Sequence, residues 1–129
     1  MPIKKLPFIK SLQKSFAAAG RGFFRALHTE RTFQVMTAIA CLVLILVFTL
    51  PLSSSEQLIL LLATGLIMVL ELVNTMVERL VDLLKPRLNI YVRDVKDLMA
   101  AAVFVASLFA FIIGLVIVVP HFRLLFHQL

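Results

Sequence analysis

Hydrophobic and polar positions follow two different patterns along this chain. From Phe8 to Leu27 the pattern is two-sided: at 100° per residue Phe8, Ile9, Leu12, Phe16, Ala19, Phe23 and Leu27 fall on one arc, and Lys10, Lys14, Arg21 and Arg25 on the opposite one. That predicts an N-terminal amphipathic helix within 1–32, lying in the headgroup plane with its basic side toward phosphate and water. The chain's own spans are an equally good partner for the apolar arc. No long apolar run occurs in 1–32, so the segment is not a secretory signal peptide. Its likeness to a mitochondrial transit peptide is set aside because the helix runs straight into the chemistry at Glu30.

Three stretches are then greasy all round. They predict transmembrane helices at about 33–51, 58–84 and 97–119, since roughly 20 apolar residues cross a bilayer core. The first closes at Pro51 and the Ser53-Ser54-Ser55 turn, the second at Pro86 and the third at Pro120. Ala102, Ala106, Ala110 and Gly114 put a small residue at every fourth position of the third, which suits close helix contact. The expected fold class is an all-α membrane protein, one domain over 1–129. Three spans make a thin bundle, so a homo-oligomer is expected.

Composition agrees. The chain has 129 residues, 61% of them hydrophobic, and a mean hydropathy of +1.03. A chain so short has no core large enough for that surplus. The net charge of +6 fits nucleic acid or an anionic membrane surface; with this hydropathy it points to the membrane, and no nucleic-acid partner is expected. Lys and Arg gather before the first span and between the second and third, which predicts a cytoplasmic N-terminus. Cys41 is the single cysteine and excludes an intrachain disulfide.

Ionisable groups inside a span are costly and point to function. Glu71, Asn74, Thr75, Glu78 and Asp82 share one face of the second span. About thirteen apolar residues, or roughly 20 Å of helix, precede Glu71, placing it in the cytoplasmic third of the bilayer. Topology brings Glu30 and the group Asp94, Lys96 and Asp97 to the same boundary. Such a set suits Mg²⁺ through its carboxylates, phosphate through its lysine and proton abstraction through the carboxylate in apolar surroundings. For Asp82 and Asp94, helix-end salt bridges and caps are an equally good explanation. Arg79 reads as a snorkelling basic residue, and the histidines as interfacial or solvated. There is no phosphate-cradling Gly-rich loop and no Cys/His zinc pattern.

The run from Glu71 through Asn74-Thr75 and Glu78 to Asp82, with Lys96-Asp97 some dozen residues on, resembles the bacterial membrane diacylglycerol kinase family, which includes undecaprenol kinases. Ser15-Phe16, Ala19, Gly22, Ala26 and Glu30-Arg31-x-Phe33 extend the resemblance over about residues 11–120. It implies a single membrane kinase domain in the inner (plasma) membrane of a bacterium, using ATP and Mg²⁺ on a lipid hydroxyl. It further implies a homotrimer with active sites shared between subunits. Glu71 would be the general base; Glu30 and Glu78 would hold Mg²⁺; Asn74 and Lys96 would position phosphate; Asp82 and Asp97 would border the nucleotide. Ala100 and Ala101 would line the lipid site with Glu71. Met36 and the absence of Trp depart from the diacylglycerol-preferring branch, so the resemblance leans toward undecaprenol as acceptor; Met99 and Ala100 stand where family members often have smaller or more polar residues. A proton relay or transporter subunit is the alternative use of membrane carboxylates, and a non-catalytic scaffold a third.

Overall fold

A computed structural model describes residues 7–84 and 89–127, with side chains for 7–83 and 91–125. Four helices account for nearly all of them: α1 (Phe8–Thr29), α2 (Arg31–Thr49), α3 (Ser54–Leu84) and α4 (Asn89–His127). Three are long and apolar enough to cross a membrane, over Arg31–Thr49, Ser54–Leu83 and Tyr91–Leu125. The expected loop residues Lys85, Pro86 and Arg87 lie outside the described residues.

Glu30 alone separates α1 from α2. Its backbone is extended (φ −112°, ψ 110°), yet its N–H donates to the Ala26 carbonyl at 2.9 Å and its carbonyl accepts from Gln34 N–H at 3.1 Å. The junction is therefore a kink with its hydrogen bonds kept, not a flexible linker. Gln34 Nε2 donates back to the Leu27 carbonyl at 2.9 Å. Phe33, with 0% of its surface exposed, meets Phe23 edge to face at 5.3 Å between ring centres. An aromatic pair of this geometry adds to simple burial. It fastens α1 to α2.

At the opposite end α3 starts at Ser54, four residues before the expected Leu58, because Ser53 acts as a cap. Ser53 N–H donates to Glu56 Oε2 at 2.8 Å, while Glu56 N–H donates to Ser53 Oγ at 3.3 Å. This reciprocal pair is a capping box, which satisfies two amides that a helix start leaves unpaired. Val47, Leu50, Leu52, Leu60 and Ile117 close over the turn as a small core. His121 is half-buried, its Nε2 3.8 Å from Glu56 Oε2, so it belongs to this packed end and is not freely solvated.

The central helix is α3: α2 and α4 both pack along it, and among the described residues the backbones of α2 and α4 do not meet. Val92, Val103 and Ile117 are buried on α4, with Ala106, Ala110 and Gly114 of the small-residue stripe half-buried beside them. The outward faces carry exposed Leu42, Phe48, Leu62, Phe104 and Phe109, as helices solvated by lipid require.

Helix α4 is longer than the expected third span. It begins at Asn89, so Arg93, Asp94, Lys96 and Asp97 are helical, and it runs through Pro120 to His127. Pro120 has no N–H for the carbonyl four residues earlier, a loss that water or neighbouring groups can make good near a helix end. At 1.5 Å per residue α3 spans roughly 46 Å, against a hydrocarbon core of roughly 30 Å. The excess lets its polar end stand clear of the core.

Phe33→Ala should cost about 3 kcal/mol and loosen α1. The measurement is limited tryptic cleavage at Lys14, Arg21 and Arg25, expected to be faster than in the unaltered protein.

Candidate active site

The two ends of the helix bundle differ in chemistry. At the end formed by the α1–α2 kink, the last turns of α3 and the first turns of α4, the polar residues gather. Spacing of three and four residues puts Glu71, Thr75, Glu78 and Asp82 on one side of α3. Within this row Glu71 is only 2% exposed and Thr75 is buried with it. The charges that bear on Glu71 are those of Glu78, about two turns on, and of Glu30, across the helix contact.

Asn74 Nδ2 donates to Glu78 Oε1 at 3.1 Å. The same amide's Oδ1 is buried with no hydrogen-bond partner. A buried acceptor without a donor carries a desolvation cost, and here it sits beside a carboxylate. Lys96 of α4 donates to Asp82 Oδ1 at 2.7 Å, and Glu78 also acts electrostatically on Lys96. Lys96 thus ties α4 to the acidic row of α3.

Arg79 completes the cluster. Its Nη2 donates to Glu30 Oε1 at 2.8 Å and to Thr29 Oγ1 at 2.6 Å; the Thr29 hydroxyl in turn lies 2.9 Å from the Arg25 carbonyl and 3.2 Å from Glu30 Oε1. Beyond the snorkelling role read from the sequence, the guanidinium turns to the kink. A cleft of about 710 Å³ opens between α1 and α3, with Gly20, Gly22 and Ala26 on one wall and Thr75, Met76 and Arg79 on the other. The small residues of α1 keep it open.

Of the residues singled out in the sequence, Glu30, Glu71, Asn74, Glu78, Asp82 and Lys96 converge here. Asp97 lies apart on the exposed side of α4, its Oδ2 4.0 Å from Arg93 Nε one turn back. Ala100 and Ala101 are exposed on the same helix. Arg79 and Thr29 were missed. The available signal was a basic residue next to Glu78 and a hydroxyl next to Glu30, but nothing in the spacing says that the two meet.

This assembly of buried carboxylate, amide, lysine and arginine at one end of three apolar helices is what phosphoryl transfer to a membrane alcohol calls for: charge neutralisation and positioning. The sequence pattern of the prokaryotic diacylglycerol kinase family matches residues 17–118. The chain is 43% identical over 107 residues to the undecaprenol kinase of Bacillus subtilis, an overlap of 83% of this chain and 87% of that one. It is 32% identical over 111 residues to a diacylglycerol kinase of Synechocystis, covering 85% of this chain and 63% of that one. The molecule is thus a lipid kinase, a transferase with apolar helices suited to the bilayer. More particularly, it belongs to the prokaryotic diacylglycerol kinase family.

Asn74→Asp would set a second carboxylate 3.1 Å from Glu78 in place of a donor. Lipid phosphorylation should fall about 100-fold or more, the scale of losing one preorganised donor, read as labelled phosphate transferred to lipid in micelles, with the helical circular dichroism retained.

Proposed function

We propose that the chain transfers the γ-phosphoryl group of ATP to the hydroxyl of undecaprenol, at the cytoplasmic boundary of the bacterial plasma membrane. The observation that carries this reading is Glu71, 2% exposed, on the α3 face that continues through Asn74 and Glu78 and within electrostatic reach of Glu30. A carboxylate at that depth is expensive unless it has a task, and the acceptor hydroxyl of a membrane alcohol sits at the same level.

In this reading Glu71 accepts the proton of the lipid hydroxyl. The hydroxyl oxygen then bonds to the γ-phosphorus as the bond from that phosphorus to the bridging oxygen breaks, and ADP leaves. Asn74 and Lys96 hold phosphate oxygens, with Asp82 fixing Lys96 and bordering the nucleotide; Asp97, apart from this row within one subunit, would border the nucleotide of a site shared with a neighbouring subunit. Ala100 and Ala101, exposed on α4, would contact lipid.

The residues suit Mg²⁺. Among the described residues no group of three or more His, Cys, Asp or Glu forms a ready cage. Mg²⁺ does not need one, since it commonly takes one or two carboxylates and completes its shell with water and phosphate oxygens. Glu30 and Glu78 would hold it, and the unpartnered Oδ1 of Asn74 is a hard oxygen of the same kind. The metal would neutralise charge on the transferring phosphoryl group.

The exposed Ala100 and Ala101 and the apolar outer faces fit a homotrimer whose sites are shared between subunits. Helix α1 would lie along the headgroups over the site, its N-terminus cytoplasmic. The 43% identity to an undecaprenol kinase favours undecaprenol over diacylglycerol. A proton relay is disfavoured because α3 has no ionisable residue between Leu58 and Leu70 and α4 none between Leu98 and Val119.

Glu71→Gln should retain fold and oligomer yet lose about 1000-fold in phosphorylation, the scale of general-base catalysis. Full activity with ATP and Mg²⁺ would remove Glu71 from the reaction. Offered undecaprenol, diacylglycerol and ceramide together with labelled ATP, the protein should phosphorylate undecaprenol first; label confined to diacylglycerol would refute the acceptor.

A further inference from the structure

Glu30 occupies the position just before α2, where a side chain can cap the first amides of its own helix. It makes no such bond. Its Oε1 instead takes Arg79 Nη2 at 2.8 Å, while Arg79 also donates to the Thr29 hydroxyl oxygen at 2.6 Å. That hydroxyl has one proton to give, and lies 2.9 Å from the Arg25 carbonyl and 3.2 Å from Glu30 Oε1. Arg79 thus bridges Thr29 and Glu30 across the contact between the kink and α3. Among the described residues nothing donates to Oε2 of Glu30.

An ion pair this exposed, with Arg79 and Glu30 side chains 45% and 29% accessible, adds little to stability. Its effect is orientation. Without the guanidinium, the Glu30 carboxylate is free to turn back toward the unpaired amides of Thr32 and Phe33, its local alternative. Arg79 follows Glu78 directly but is turned about 100° around α3 from it, so it faces α1 while Glu78 faces the acidic row.

We infer that Arg79 is a positioning residue that acts through Glu30: by occupying Oε1 it holds the carboxylate across the kink with Oε2 available to a nucleotide-bound divalent cation. This rests on the reading of Glu30 as a metal-holding carboxylate. Groups that orient a metal ligand in this way carry weight comparable to the ligands themselves. Thr29 fixes the guanidinium and shares the load.

The test is binding of Mn²⁺ to the full-length protein with a non-hydrolysable ATP analogue, read from the free-Mn²⁺ electron paramagnetic resonance signal without turnover. R79A should weaken Mn²⁺ about tenfold, and R79K should recover most of that loss. In an E30Q background R79A should add nothing further, since residues acting through one another are not additive. R79Q replaces R79A if the latter does not stay folded. Unchanged Mn²⁺ affinity in R79A, with E30Q still weakened, overturns the role of Arg79 and leaves the metal reading of Glu30 standing, as does a full additional loss in the double variant. Unchanged affinity in E30Q overturns both.

Discussion

The structure depends on one costly placement: the carboxylate of Glu71, buried on a helix that is otherwise apolar for more than three turns before it. Inserting an ionised acid at the centre of a span costs about 2.5–3.5 kcal/mol. The chain lessens that cost by placing Glu71 toward one end of α3, near the polar rim. The charges that bear on it, those of Glu78 on the same helix and Glu30 at the kink, are of like sign and add to the cost. Polar residues from the kink, α3 and α4 thus share one end of the bundle.

The opposite end of the bundle has the contrary chemistry. There a capping box and a small aliphatic core hold the α2–α3 turn against α4. The apolar end fixes the spacing of the three long helices, and the polar end inherits that spacing. Phe33, wholly buried under Phe23, performs the corresponding task for α1, so that Glu30 is held at a defined turn rather than carried on a loose linker. Lipid kinase chemistry needs such a division: a greasy anchor, and a polar rim reachable from water.

Much of this was legible in the sequence. The row from Glu71 to Asp82 could be read because a spacing of three and four residues puts side chains on one helical face whatever the surroundings. The three spans could be read because lipid tolerates little but continuous apolar helix. Helix ends were less legible. Hydropathy marks where lipid starts, not where hydrogen bonding starts, so Asp94, Lys96 and Asp97 looked like a boundary although α4 begins at Asn89. Pro120 misled for the related reason that a proline near the end of a long helix forfeits only one hydrogen bond.

Arg79 was illegible. Its partner Glu30 lies 49 residues earlier, and no local period connects a basic residue on one helix to a kink in another. Lys96 and Asp97 illustrate the same limit at short range. Adjacent in sequence, they point about 100° apart on α4, and only Lys96 turns to the acidic row.

In the proposed function the kink, the end of α3 and the start of α4 together form a single nucleotide site at the polar end. Paramagnetic broadening of backbone amide signals by Mn²⁺ with a non-hydrolysable ATP analogue tests it most directly. Broadening should be strongest at residues 29–31, 71–82 and 92–97 and should spare 52–60 and 113–118. Broadening centred on the capped turn and the Ile117 core, or none at either end, would contradict the account.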